Sequence, residues 1–166
     1  QATFNNPHKQ HQFDVLIIGT GSAGLMSALQ LSRHLSVALI AKDEALEGSS
    51  FYAQGGISAV LDAHDNFEAH VTDTLSSAAG LADEAAVKFM VKNAPAAISS
   101  LESSGVQFTK DSNNYHLTTE GGHTNRRVAH VADNTGQSIQ VNLLDNVKQC
   151  KNITLFENYI AIDLLI

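Results

Sequence analysis

Two short apolar runs stand out at the start of the chain. Phe13-Asp14-Val15-Leu16-Ile17-Ile18 and Ser36-Val37-Ala38-Leu39-Ile40-Ala41 are too short for helices and rich in strand-forming residues. Both read as strands buried on both faces. Between them, Ser22 to Leu35 carries helical spacing, with Leu25, Leu29 and Ser32 on one line and Met26 and Leu31 nearby. The turn before the helix holds Gly19, Gly21 and Gly24. A β–turn–α–β unit of about 30 residues has the size of a mononucleotide-binding unit.

The pattern then loosens. Glu47 to Gly56 is a small-residue loop whose backbone something else can approach closely. Ile57 to Leu61 predicts a short strand. Asn66 to Ala79 and Asp83 to Asn93 predict helices, the first ended by Gly80. Pro95 is expected to open a separate helix at its first turn, closed by Gly105. Val106 to Val131 alternates as short strands broken at Asp111-Ser112-Asn113-Asn114 and Glu120-Gly121-Gly122. Asn134 to Cys150 predicts a helix, and Ile153–Glu157 and Tyr159–Ile166 predict strands. The expected fold class is α/β, a Rossmann-like domain with a parallel sheet over residues 13–166, behind a polar leader at residues 1–12. Because the sequence stops inside the apolar run Ile160 to Ile166, a chain cut short of its natural end is also expected.

Composition narrows the function classes. The net charge of -7 and the absence of a basic run exclude a nucleic-acid partner from the reading. Such a body also repels an anionic substrate unless local cations or helix N-termini intervene. Cys150 is the one cysteine, so no internal disulfide forms, and a cytoplasmic home is expected. Glycines and Asp14 interrupt the apolar stretch from Phe13 to Leu35, so it reads neither as a signal peptide nor as a membrane span. Asn152-Ile153-Thr154 matches a glycosylation acceptor, a pattern too short to weigh.

Gly19-Thr20-Gly21-Ser22-Ala23-Gly24 fits G-x-G-x-x-G after a buried strand and at a helix start. In that context Gly19 permits the tight turn, Gly21 lets a pyrophosphate approach the backbone, and Gly24 lets helix and strand pack closely. Free N–H groups and the helix dipole favour phosphate there. The other reading is a glycine-rich structural turn. The acidic residue usual at the end of the second strand of NAD-binding domains is replaced by Lys42, followed by Asp43 and Glu44. This speaks against an NAD dehydrogenase and leaves Lys42 to meet a phosphate or ribose oxygen.

Two further segments carry a resemblance. Gly48-Ser49-Ser50-Phe51-Tyr52-Ala53-Gln54-Gly55-Gly56-Ile57 resembles the S-T-F-Y-A-Q-G-G-I segment of the L-aspartate oxidases, which belong with the fumarate reductase and succinate dehydrogenase flavoproteins. Tyr115 to Arg127 contains Glu120-Gly121-Gly122-His123-Thr124-Asn125-Arg126-Arg127, similar to that family's E-G-G-H-x-x-R-R. The resemblance spans about Asp14 to Ile166, with the motifs in order.

It implies FAD as cofactor, with Gly19 to Gly24 on the pyrophosphate and Lys42 near the adenosine ribose. Ser49, Ser50, Phe51, Tyr52, Ala53, Gln54, Gly55 and Gly56 would run along the flavin, and the Ala161 backbone would lie near adenine. Several relatives carry a flavin-linked histidine where this chain has Ser49, so the resemblance implies non-covalent FAD. It assigns Glu120 to substrate orientation. The implied reaction is oxidation of L-aspartate to iminoaspartate with oxygen or fumarate as acceptor, feeding quinolinate formation in NAD biosynthesis, with quinolinate synthase as a partner. The family's capping domain, its catalytic arginine and its last FAD-binding segment have no counterparts in these residues. The segment alone is therefore expected to be inactive and to hold FAD weakly.

Other readings stay open. The chain also suits a fumarate reductase- or succinate dehydrogenase-like subunit, or a non-catalytic dinucleotide-binding module. Glu120 suits a solvated turn as well as a site. Strand alternation allows at most one of Arg126 and Arg127 to point inward. Asp62, His64 and Asp65 read as a polar loop. His116, His123 and His130 recur every seven residues, a spacing that offers no convergence on strands, and no metal site is expected. Without a G-x-S-x-G elbow, Ser22, Ser49 and Ser50 are not hydrolase nucleophiles.

Overall fold

The computed structural model describes residues 10–165, so most of the expected polar leader lies outside the described residues. In chain order the elements are β1 (Val15–Ile18), α1 (Ser22–Leu31), β2 (Val37–Ile40), α2 (Ser49–Tyr52), β3 (Ile57–Ser58), α3 (Phe67–Ser77) and α4 (Glu84–Ser103). They continue with β4 (Lys110–Asp111), β5 (Asn114–Tyr115), β6 (Leu117–Thr118), β7 (Val128–Ala129), α5 (Thr135–Gln149) and β8 (Ile153–Phe156).

The main sheet is parallel, in the order β1-β2-β8, with Val15 opposite Val37 and Val37 opposite Ile153. All three strands therefore end at one edge, and the turn after β1 opens there. Helices α1 and α5 pack together and share a core with the sheet, through Leu25, Ala28, Val37, Leu39, Leu143 and Val147. Burying one such leucine contributes roughly 1.5–3 kcal/mol. The expectation that β1 is buried on both faces is corrected: Leu16 is 54% and Ile18 67% exposed, while Val15 and Ile17 pack against the core. Among the described residues β1 pairs on one side only, and its packing partners lie toward Val15 and Ile17.

A second sheet, β3-β7-β6, is antiparallel, and β4-β5 forms a separate hairpin turning at Ser112, whose φ is 58°. α3 begins where Asn66 accepts a hydrogen bond from the Ala69 N–H, and α4 where Asp83 accepts from the Ala86 N–H. Such caps satisfy donors that the first helical turn leaves free.

The two helices expected around Pro95 are one. α4 runs unbroken through Pro95, because Val87, Val91, Ile98 and Leu101 form a single buried stripe on both sides of it. That shared burial outweighs the one backbone bond a proline removes. Gly105 ends α4 as expected: at φ +106° it lets its own N–H reach the Glu102 carbonyl and the Val106 N–H reach the Leu101 carbonyl.

The last predicted strand does not form. Tyr159 to Leu165 is exposed and without regular structure, and Ile166 lies outside the described residues. The Tyr159 N–H donates to the Ala41 carbonyl at 3.0 Å, after which no ladder partner is present among the described residues. Apolar alternation needs a neighbouring strand before it becomes β structure.

Candidate functional site

The site begins at the glycine turn. Gly19 takes φ +112° and donates its N–H to the Ile40 carbonyl at 2.8 Å, tying the turn to the end of β2. Gly24 lies directly over that turn. A methyl group there would sit 3.1 Å from the Gly19 carbonyl carbon and nearer still to its oxygen. Gly21 is the N-cap of α1, supplies no side-chain cap, and is followed by no acidic residue in the first turn. The positive end of α1 therefore opens at the carboxyl edge of a parallel sheet, the setting in which a pyrophosphate binds. The residues present fit that group.

Two other segments hold the turn in place. The Ser50 hydroxyl accepts from the Ser22 N–H at 3.3 Å, and a Cβ on Gly21 would lie 3.3 Å from the same oxygen. Gln140 of α5 is 2% exposed, and its side-chain carbonyl accepts from the Ser22 hydroxyl at 3.0 Å. Its amide nitrogen donates to the Thr20 carbonyl. Sequence reasoning passed over Gln140. The available signal was a polar residue on the apolar stripe of Ile139, Leu143, Leu144 and Val147.

Residues 47–56, expected as an open loop, contain a single helical turn, α2. Tyr52 is 62% exposed and donates from its hydroxyl to the Glu47 carboxylate at 2.9 Å. That bond to a carboxylate is the main reason its phenol is held above its usual range, with the Glu47 charge second. Phe51 meets Tyr52 edge-on. The Gly136 N–H donates to the Ala53 carbonyl at 3.0 Å, so α5 also supports the far end of this segment. A cavity of about 600 Å³ opens between Ser22, Ala23, Ser50, Gly55, Gly136 and Leu101. Ser49, Gln54 and Gly55 are exposed.

Glu120 comes to this segment from the second sheet. A Cβ added to Gly55 would lie 3.3 Å from the Glu120 carboxylate. The Glu120 N–H donates to Nδ1 of His123 at 3.3 Å, and His123 Nε2 lies 3.3 Å from the Ser58 hydroxyl. Since Nδ1 accepts, the neutral ring carries its proton on Nε2 and donates to Ser58. Lys42 and Ala161 are exposed, beyond the carboxyl ends of β2 and β8.

The arginine pair divides as alternation predicts. Arg126 is exposed and donates from Nε to the Leu117 carbonyl, whereas Arg127 is 0% exposed. Arg127 makes a two-pronged contact with Asp65, at 2.9 and 2.8 Å, and a third bond to Asp73 at 2.8 Å. Asp62, His64 and Asp65 lie in a loop as read, but the Asp65 side chain is 2% exposed, drawn inward by that guanidinium. Burial opposes ionisation of Asp73, but hydrogen bonds from Thr124 together with Arg127 outweigh it and hold its carboxyl below the usual range. His70, buried beside this group, is held below the ordinary imidazole value, first by burial and then by the Arg127 charge.

The histidine spacing also needs correcting. His116 and His130 do converge, at 2.8 Å, because β6 and β7 are antiparallel and Leu117 faces Ala129. His123 stands apart from that pair, against Ser58. Among the described residues, no group of three His, Cys, Asp or Glu side chains is arranged to hold a metal ion. Nor is any described helix long and apolar enough to cross a membrane.

Comparison with known proteins accords with this geometry. A family model described as "FAD binding domain" matches residues 14–166. The L-aspartate oxidase of Vibrio cholerae serotype O1 is 46% identical, over 96% of this chain and 31% of that protein. L-aspartate oxidase 1 of Ralstonia nicotianae is 49% identical, over 92% and 29%. Among solved structures, a mutated E. coli quinol fumarate reductase FrdA superposes with TM-score 0.84 at 29% identity, over 89% of this chain and 26% of that one. The chain thus spans about 31% of the length of the Vibrio relative.

Proposed function

The chain belongs to the FAD binding domain family, and from that premise we propose that it forms the FAD-binding part of an enzyme that oxidises L-aspartate to iminoaspartate. Oxygen or fumarate accepts the electrons, and iminoaspartate passes to quinolinate synthase in NAD biosynthesis within the cytoplasm. Residues 13–166 make up the N-terminal part of the FAD-binding domain. The observation that carries the reading is the meeting of three separate segments at one place. Ser50 bonds the glycine turn, Glu120 lies against Gly55, and all three belong to motifs similar to those of the L-aspartate oxidases.

Gly19, Thr20, Gly21, Ser22, Ala23 and Gly24 hold the pyrophosphate on backbone N–H groups at the start of α1. Lys42 takes the adenosine ribose and the backbone of Ala161 the adenine. Ser49, Ser50, Phe51, Tyr52, Ala53, Gln54, Gly55 and Gly56 line the flavin. Ser49 has no imidazole with which to form a covalent link, so the cofactor is held non-covalently. Bound FAD supplies the acceptor for the hydride that leaves the substrate Cα. Glu120 orients the substrate beside Gly55, and His123 holds the Glu120 backbone from the other side through a bond anchored on Ser58.

The test is turnover of L-aspartate by the whole FAD-loaded enzyme, followed by oxygen uptake or fumarate reduction. Aspartate-dependent reduction of the flavin supports the reading. The likeness to fumarate reductase favours a second reading, an enzyme of fumarate and succinate alone. Fumarate reduction with an artificial donor, and no aspartate oxidation, would select it.

A further inference from the structure

Arg127 follows the Glu120 turn by a few residues, yet Nε, Nη1 and Nη2 of its guanidinium all donate to carboxylates. Nε and Nη2 meet Asp65, and Nη1 meets Oδ2 of Asp73. Its side chain is 0% exposed and those of Asp65 and Asp73 are 2% and 7% exposed. The same two carboxylates take further donors from the same segment. Asp73 Oδ2 accepts from the Thr124 N–H at 2.8 Å and the Thr124 hydroxyl at 2.9 Å. Asp65 Oδ1 accepts from the Asn125 amide at 2.9 Å.

Three residues that follow the Glu120 turn, Thr124, Asn125 and Arg127, are thus fastened to the loop just before α3 and to its middle. We infer that Asp65, Asp73 and Arg127 form a buried clamp whose task is to position the Glu120–His123 turn against Gly55. Arg127 is a positioning residue and not the cation that receives a substrate carboxylate. The inference rests on the proposed role of Glu120.

The physics favours a clamp over a mere surface bond. Charge-assisted bonds in a buried setting are strong and directional, and a planar guanidinium fixes the angle as well as the distance of its partners. The turn itself has little else to fix it. Gly121 and Gly122 are exposed, and Gly122 takes φ +89°. Between the clamp and Glu120 stands His123, whose N–H donates to the Glu120 carbonyl at 3.1 Å and whose ring is bonded to the Glu120 N–H and to Ser58. Loosening the clamp frees a glycine-containing turn, and Glu120 moves with it.

Asp73→Asn keeps the shape of the side chain and removes its charge. Thr124→Val, at an exposed residue, removes one bond to Asp73 without disturbing the ion pairs, and serves where Asp73→Asn fails to fold. Two readouts follow. Amide exchange by NMR in this chain is expected to rise at least tenfold at Glu120 and Thr124 in either variant, with protection in β1 and β2 retained. In the FAD-loaded whole enzyme, KM for L-aspartate is expected to rise at least tenfold for Asp73→Asn, with a smaller fall in kcat and unchanged flavin content. Unchanged exchange at Glu120 overturns the clamp. Raised exchange with an unmoved KM, or loss of protection and flavin together, reduces it to a folding element and overturns the positioning role. A wild-type enzyme that fails to oxidise L-aspartate defeats the proposed function instead, while the exchange arm still decides the clamp.

Discussion

At Gly24 the fold leaves no room for a side chain. A methyl group placed on it meets the Gly19 carbonyl, 3.1 Å from the carbon and closer to the oxygen, with the Ile17 side chain 3.5 Å away. The obstacle is backbone, so no rotamer change relieves it. For Gly24→Ala, the start of α1 must recede from the end of β1 by roughly 1 Å, an overpacking strain of about 1–3 kcal/mol. The same shift draws the N-terminal N–H groups of α1 away from the place a pyrophosphate would occupy. If about 1.4 kcal/mol of that strain is felt on binding, affinity falls tenfold. Titration with FAD, followed by flavin fluorescence, should therefore show at least a tenfold weaker Kd, with a lower Tm. Gly48→Ala is the control, because a Cβ there meets nothing within 4 Å and the backbone is extended. Equal FAD affinity of Gly24→Ala and Gly48→Ala would refute the reasoning.

Other outcomes follow from the same contacts. Gln140→Leu removes both bonds to the glycine turn and strands the buried Thr20 carbonyl; it should cost roughly 1–3 kcal/mol in denaturant unfolding and weaken FAD binding. Arg127→Met leaves two buried carboxylates without their cation and should cost about 3–5 kcal/mol, read from the urea midpoint. The Asp73 carboxyl is held low in the folded chain, so its contribution is present at neutral pH and is lost as pH falls below the unfolded carboxylate range. Asp73→Asn should flatten that acid limb of a stability–pH curve. Burial, then the bond to Glu102, pushes the Tyr115 phenol from 10.0 to about 12, so its contribution is present below pH 10 and lost as pH rises toward 12. Tyr115→Phe should remove that alkaline loss in thermal melts.

The β–turn–α–β unit was legible because one short stretch settles it: apolar runs of strand length, helical spacing, and glycines where the backbone must turn and approach. The motif segments 49–56 and 115–127 were legible as chemistry but not as shape. Nothing local in Ser49 to Tyr52 announces a helical turn; it forms where Ser50 can reach the Ser22 N–H and where Gly136 leaves room against Ala53. Pro95 misled because proline signals a helix start locally, while the decision lay with a buried stripe running past it on both sides. The burial of Asp65 and the convergence of His116 with His130 depend on partners 62 and 14 residues away. No pattern along the chain encodes those distances. Tyr159 to Leu165 has the composition of a strand and lacks, among the described residues, a strand to pair with.

The central claim is a cofactor held by the glycine turn and the Ser49–Gly56 segment without a covalent bond. The direct measurement is the visible spectrum of the whole enzyme, purified in excess FAD and freed of unbound flavin, before and after acid precipitation. The account predicts flavin bands that accompany the protein and then pass wholly into the supernatant. Flavin retained in the precipitate, or no flavin accompanying the protein at all, would contradict it.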